Sequence, residues 1–235
     1  MKNVLTKMSE NTAKNLQYTI VALGDSVTDG CFRGDEKKDF EAVYHARLKK
    51  KLNCVFPNLR INMIDSGIGG INTPNSVGRL ERDVFAYNPD LVIVCLGLND
   101  IVNGSKTYIE SLEKIFAEIK QRNIEVIFLT PNMVCAEAKT EQIERQFGSD
   151  KYNDFAATLA RLQTGGPVDE MFSLAKELAT KYGITVCDSY GAWRNLYDCG
   201  ANTTNLLCNF INHPSREMHE LFASMLFTTI LTSEA

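Results

Sequence analysis

The sequence predicts a three-layer α/β/α sandwich built on a five-stranded parallel sheet. Two observations carry that expectation. Five short runs of aliphatic and β-branched residues recur along the chain, each ending in glycine or a small polar residue, as strands buried on both faces do. Segments with helical spacing fill most of the intervals between them, and strand alternating with helix requires crossovers that place helices on the sheet faces. In such sheets ligands bind beyond the carboxyl ends of the strands.

Taken in order, residues 1–17, "MKNVLTKMSENTAKNLQ", read as an N-terminal extension, and residues 18–235 as one domain. The strands are expected at "YTIVALG" (18–24), "RINMID" (60–65), "LVIVCLG" (91–97), "EVIFLT" (125–130) and "GITVCD" (183–188). Phe40, Val43, Tyr44, Arg47 and Leu48 share a helical face before the second strand. Tyr108, Leu112, Ile115, Phe116 and Ile119 do so before the fourth. Val168, Met171, Phe172, Ala175 and Leu178 precede the fifth strand, and Met218, Leu221, Phe222, Met225 and Leu226 form the closing helix. The stretch 132–166 is expected to be an insertion with some helix, overhanging the strand ends. The charged run 33–41 reads as a solvated loop and helix start.

Composition narrows the function classes. A formal charge of -4 over 235 residues offers no basic field, which disfavours a nucleic-acid partner. No stretch has the continuous apolar character of a signal peptide or a membrane span, so no membrane partner and a cytoplasmic location are expected. Seven scattered cysteines without a C-x-x-C pair, and only three histidines, suggest structural thiols and no metal centre.

Small and amide residues fill the exits of the first three strands: Gly24-Asp25-Ser26, "DSGIGGINT" (65–73) and "GLND" (97–100). Acyl transfer needs a nucleophile, a base within hydrogen-bond reach and donors aimed at the developing oxyanion. Ser26 at a tight strand-to-helix turn supplies a hydroxyl and a backbone N–H, Gly70 a second backbone N–H, and Asn99 a side-chain amide. Taken singly, Ser26 also suits a helix cap, Asn99 a turn and Gly70 a loop with positive φ. Among the histidines, His45 lies in a helical pattern and His219 among apolar neighbours, both suiting structural roles. His213 directly precedes Pro214 in "CNFINHPSREMHELF", a loop-to-helix junction where an imidazole can stand over the strand ends. Cys31, close to Ser26, has nothing nearby that marks it as activated.

Gly24-Asp25-Ser26, Gly70, Gly97-x-Asn99-Asp100 and His213-Pro214 together resemble the four sequence blocks of the SGNH, or GDSL-type, esterase and lipase family, over about residues 18–230. The resemblance implies a flavodoxin-like sheet (the SGNH hydrolase fold) and a serine hydrolase of small-molecule esters without a cofactor. It implies Ser26 as nucleophile, His213 as base, and the Ser26 amide, Gly70 and Asn99 as the oxyanion hole. The turn differs from the G-x-S-x-G elbow of α/β-hydrolases, because Asp25 precedes the serine and no glycine follows two residues later.

The chain departs from the family where an aspartate usually stands three residues before the histidine; here that residue is Phe210. Asn209, Asn212, a backbone carbonyl, or a more distant Asp188 or Asp198 are the candidates to orient the imidazole. Asp65, where asparagine is common, and Asp100 read as structural. The expected activity is hydrolysis of short acyl esters, such as acetyl, on a carbohydrate or other polar alcohol. The alternatives are a lipase or thioesterase for longer chains, and a binding module that has lost its chemistry. A nucleotide or phosphate binder using "DSGIGG" is disfavoured, since neither G-x-G-x-x-G nor a P-loop is present.

Overall fold

The computed structural model describes residues 2–33 and 38–232. Within the charged run 33–41, residues 34–37 lie outside the described residues. The strands are β1 (Gln17–Gly24), β2 (Arg60–Gly67), β3 (Leu91–Cys95), β4 (Glu125–Leu129) and β5 (Thr185–Cys187). All pair in parallel, in the order β2-β1-β3-β4-β5. The helices are α1 (Lys2–Ala13), α2 (Tyr44–Val55), α3 (Thr73–Val77), α4 (Leu80–Asp83), α5 (Ser105–Gln121), α6 (Thr140–Phe147), α7 (Asn153–Thr164), α8 (Pro167–Lys181), α9 (Ser189–Asp198) and α10 (Arg216–Thr232).

The strand order explains where the helices go. From β1 the chain crosses to β2 on one side, then returns past β1 to add β3, β4 and β5 on the other. Right-handed crossovers in opposite directions put their helices on opposite faces. Accordingly α2 packs with α10 and α10 with α1, while α5 packs with α8. Phe116 of α5 meets Phe128 of β4 edge to face, ring centroids 5.6 Å apart, and Tyr44 of α2 meets Phe222 of α10 at 6.2 Å. Each such fully buried aromatic contributes about 1.5–3 kcal/mol by leaving water. The point where the direction of growth reverses lies between β1 and β3, and a crevice opens there beyond the strand ends.

Several expectations need correction. β2 is not buried on both faces: it is an edge strand with one neighbour, and four of its eight residues are half-buried or exposed in succession, Met63 to Asp65 among them. Phe40 does not join the helical face; it is 58% exposed in the turn ahead of α2, whose first turn starts at Tyr44. Within the N-terminal extension, α1 buries Val4 and Met8 completely against the core. The helix α9 after β5 is not expected from the sequence, because Tyr190 and Trp193 are the only apolar residues it buries.

Register brings the exits level. Gly24 stands opposite both Gly67 of β2 and Cys95 of β3. Both glycines are steric necessities. A Cβ at Gly24 would lie 1.9 Å from Thr28 Oγ1, and one at Gly67 would lie 2.3 Å from the backbone nitrogen of Asp29. Backbone cannot move aside as a side chain can, so Gly67→Ala is expected to destabilise the fold by about 1–3 kcal/mol in a denaturant titration. Unchanged stability would show that the β1 and β2 exits are not packed in this way.

Candidate active site

The turn after β1 is closed by its own backbone. Asp29 N–H donates to Asp25 O at 3.0 Å, and Cys31 N–H to Ser26 O at 3.0 Å. Asp25 points inward, its Oδ1 accepting the Val27 N–H at 2.9 Å. Burial pushes its carboxyl up to about 7, against the pull of that N–H. Ser26 is thereby left at the sheet edge, only 6% exposed. Its backbone N–H donates to no group among the described residues.

The loop after β2 is tied to this turn from both sides. The buried Arg79 guanidinium donates to Gly24 O at 2.9 Å and to Ser66 O at 2.8 Å, bracing the ends of β1 and β2. Asp29 Oδ2 accepts the Gly69 N–H at 3.0 Å, and Lys38 Nζ lies 2.6 and 2.7 Å from its two carboxylate oxygens. Gly70 sits at φ +75°, while a Cβ there would meet nothing within 4 Å. Glycine is favoured there by the left-handed backbone, not by crowding.

After β3, Gly97 at φ +136° starts a short 3₁₀ turn, Leu98–Asn103. Asn99 Nδ2 donates to Ile71 O at 2.9 Å, joining this turn to the Gly70 loop and leaving the second amide hydrogen for another acceptor. Asp100 points the other way, accepting the Thr73 N–H at 3.1 Å and the Thr73 hydroxyl at 2.8 Å. Burial raises its carboxyl, and the bonds from Thr73 oppose that.

The His213 loop is fixed by amide side chains. Asn209 Oδ1 accepts the backbone N–H groups of Ile211, Asn212 and His213 at 3.0, 2.9 and 2.9 Å. Within that wrap Phe210 takes φ +57°. Asn132, fully buried at the exit of β4, donates to Asn212 O at 2.9 Å. Pro214 does not open the helix: it pairs with Leu207 in an isolated antiparallel bridge, and α10 begins at Arg216.

The result is a contact between residues 187 positions apart. Ser26 Oγ lies 2.9 Å from His213 Nε2, and His213 Nδ1 lies 2.8 Å from Phe32 O. A carbonyl only accepts, so Nδ1 carries the hydrogen and the neutral ring presents Nε2 as acceptor toward the serine hydroxyl. Burial holds the imidazole below its ordinary value of 6.5, with the Phe32 carbonyl opposing the shift.

The group on Nδ1 is therefore none of the side chains expected from sequence. Asn209 spends its oxygen on three backbone amides. Asn212 Oδ1 accepts from Asn209 Nδ2 at 2.9 Å. Asp188 caps α9 through the Gly191 N–H at 3.0 Å and pairs with Lys176 at 2.8 Å. Asp198 pairs with Arg194 along α9 at 3.1 Å. The Phe32 carbonyl is itself held by Cys208, whose Sγ lies 2.7 Å away. Arg216 is stacked on the Phe32 ring, 4.2 Å from its centroid, and reaches Asp39 at 2.8 Å.

The other histidines lie apart from this contact. His45 Nε2 is 3.0 Å from Thr28 O. His219 accepts the Tyr44 N–H at 3.1 Å, and burial lowers it to about 3. Burial and Asp29 both raise the Cys31 thiol, which keeps it protonated.

A cavity of about 500 Å³ opens over Ser26 and His213. Its lining includes Gly69, Gly70 and Asn99, the loop residues Asn209, Ile211 and Asn212, and Cys31 and Arg33. The remaining wall is Phe147, Tyr152 and Phe155, at the junction of α6 and α7. The stretch 132–166 thus does overhang the strand ends, and it carries two helices. Nothing in the sequence singles out its aromatic wall. Among the described residues no group of three or more His, Cys, Asp or Glu side chains is arranged to hold a metal ion. None of the helices described is long and apolar enough to cross a membrane.

The switch point of the parallel sheet thus carries a serine hydroxyl within hydrogen-bond reach of a histidine nitrogen, beside the Ser26 backbone N–H. The chain belongs to the GDSL-like lipase/acylhydrolase family, whose model matches residues 22–221. It is 26% identical over 179 residues to an acetylxylan esterase of Geobacillus stearothermophilus, covering 69% of this chain and 80% of that protein. A crystal structure of an acetylxylan esterase of that organism has the same fold, with TM-score 0.67 at 21% identity over 92% of this chain and 95% of that one. A two-domain esterase active on acetylated mannans, crystallised with mannopentaose, aligns with TM-score 0.65 at 19% identity, over 97% of this chain and 52% of that one.

Proposed function

We propose that the protein is a serine esterase that removes short acyl groups, acetyl above all, from a carbohydrate. The observation that carries the reading is the chain Ser26 Oγ, His213 Nε2, His213 Nδ1, Phe32 O. Ser26 attacks the ester carbonyl as His213 takes its proton. The developing oxyanion accepts hydrogen bonds from the Ser26 and Gly70 amides and the spare Asn99 N–H. His213 then protonates the departing alcohol, and water, deprotonated by the same nitrogen, releases the acid from Ser26.

Phe32 O takes the place of the usual aspartate. It keeps the ring in the productive tautomer but supplies no full negative charge to the imidazolium. Acetylated carbohydrate is supported by the acetylxylan esterase relative. The seven cysteines, all at described positions, are free thiols, which supports a reducing, cytoplasmic setting.

A series of p-nitrophenyl esters from acetate to decanoate tests the acyl class: kcat/KM is expected to fall with chain length, and a preference for long chains would overturn it. Asn99→Ala is expected to lower kcat by about 10²–10³-fold, the usual cost of one oxyanion donor, with less effect on KM. A change confined to KM would remove Asn99 from that role.

The pH profile follows from burial. Only neutral His213 accepts the proton, and its folded value is depressed. The acid limb of kcat/KM is therefore expected to have its midpoint below about 6.5, with activity lost as pH falls through it. A midpoint above that value would require a carboxylate near Nδ1.

A further inference from the structure

The geometry points to the aromatic wall at the α6–α7 junction as the subsite for the sugar ring of the substrate, a pyranoside lying with its C–H face on Phe155 and Tyr152. This rests on the carbohydrate esterase reading and names the residues that hold the alcohol.

The cavity lining is of two unlike kinds. Phe155 stands in the first turn of α7 and stays 41% exposed despite its size, and Tyr152, three residues earlier, lines the same cavity. The Tyr152 ring is 4.6 Å from that of Phe147 and under the ammonium of Lys151 at 4.7 Å. These rings form a preset aromatic surface in the wall of the cavity that Ser26 also lines. The same cavity is lined by asparagines. Asn212 gives its side-chain oxygen to Asn209 and its backbone carbonyl to Asn132, and its NH2 group donates to nothing among the described residues.

That contrast matches a pyranose and not an acyl chain. A sugar ring presents apolar C–H groups on its faces and hydroxyls around its edge. One face covers the aromatic surface while the edge meets donors such as the Asn212 amide. A long acyl chain would desolvate those amides without a partner, at a cost in affinity.

The test compares wild type, Phe155→Ala and Phe155→Trp on acetylated xylooligosaccharide, p-nitrophenyl acetate and p-nitrophenyl octanoate. Exposed Leu174→Ala, on α8, serves as a surface control. For the sugar ester, Phe155→Ala is expected to raise KM about tenfold with kcat within about twofold. The rise on p-nitrophenyl acetate should be smaller, and Phe155→Trp should restore the wild-type KM on the sugar ester. An unchanged KM on the sugar ester overturns the subsite and leaves the function reading standing. An effect greatest on the octanoate also overturns it, since the wall would then serve an acyl chain. If wild type cleaves p-nitrophenyl acetate but no acetylated sugar, the carbohydrate reading fails and the subsite with it.

Discussion

Ser26→Ala is expected to lower kcat for p-nitrophenyl acetate by about 10⁴-fold or more, leaving the fold and its melting transition intact. Ser26 is nearly buried, and among the described residues its side chain makes one hydrogen bond, to His213. Removing the hydroxyl therefore deletes the attacking atom without opening a core cavity. In the proposed mechanism the Gly70 and Asn99 donors remain, and in the serine protease template such donors leave only a small residue of catalysis. Steady-state kinetics with thermal melts of both proteins checks the prediction. Activity within about tenfold of wild type would mean that some other group attacks the ester.

His213→Ala is expected to cost nearly as much, again about 10⁴-fold or more in kcat. Without Nε2 the serine proton has nowhere to go, since Ser26 has no other base within hydrogen-bond reach among the described residues. Because the two residues act as one unit, the double variant should be little slower than either single one, where independent contributions would multiply. Asp188→Asn is the informative contrast. Asp188 caps α9 and pairs with Lys176, so the variant should keep kcat within about twofold of wild type. A loss of several hundredfold at that position would restore the distant carboxylate as the partner of the imidazole.

Fold and site differ in how far the sequence reveals them. The five strands are legible because short apolar runs ending in glycine or a small polar residue leave few alternatives, and the blocks at residues 24–26, 70 and 97–100 follow the exits of β1, β2 and β3, which the register brings level. The edge character of β2 is not legible, since its apolar run says nothing about how many neighbours it has. The partner of His213 is hidden for a different reason. It is a backbone carbonyl, and every residue has one. Asn209 lies in the loop where an orienting group is expected, but it acts on the backbone instead of the imidazole, and its three bonds shape the turn that carries the ring. Phe147, Tyr152 and Phe155 belong to no motif that the sequence shows. Only the folding of α6 and α7 over the cavity brings them to the site.

If His213, turned by the Phe32 carbonyl, activates Ser26, the serine must react with a fluorophosphonate, which phosphonylates only an activated hydroxyl. Intact-mass measurement and peptide mapping after exposure to the reagent read this out without any assumption about the natural substrate. One adduct per chain is expected, mapped to Ser26, formed rapidly at neutral pH and lost in His213→Ala. An adduct on another residue, no adduct at all, or equally fast labelling of Ser26 in His213→Ala would show that this pair does not carry the chemistry.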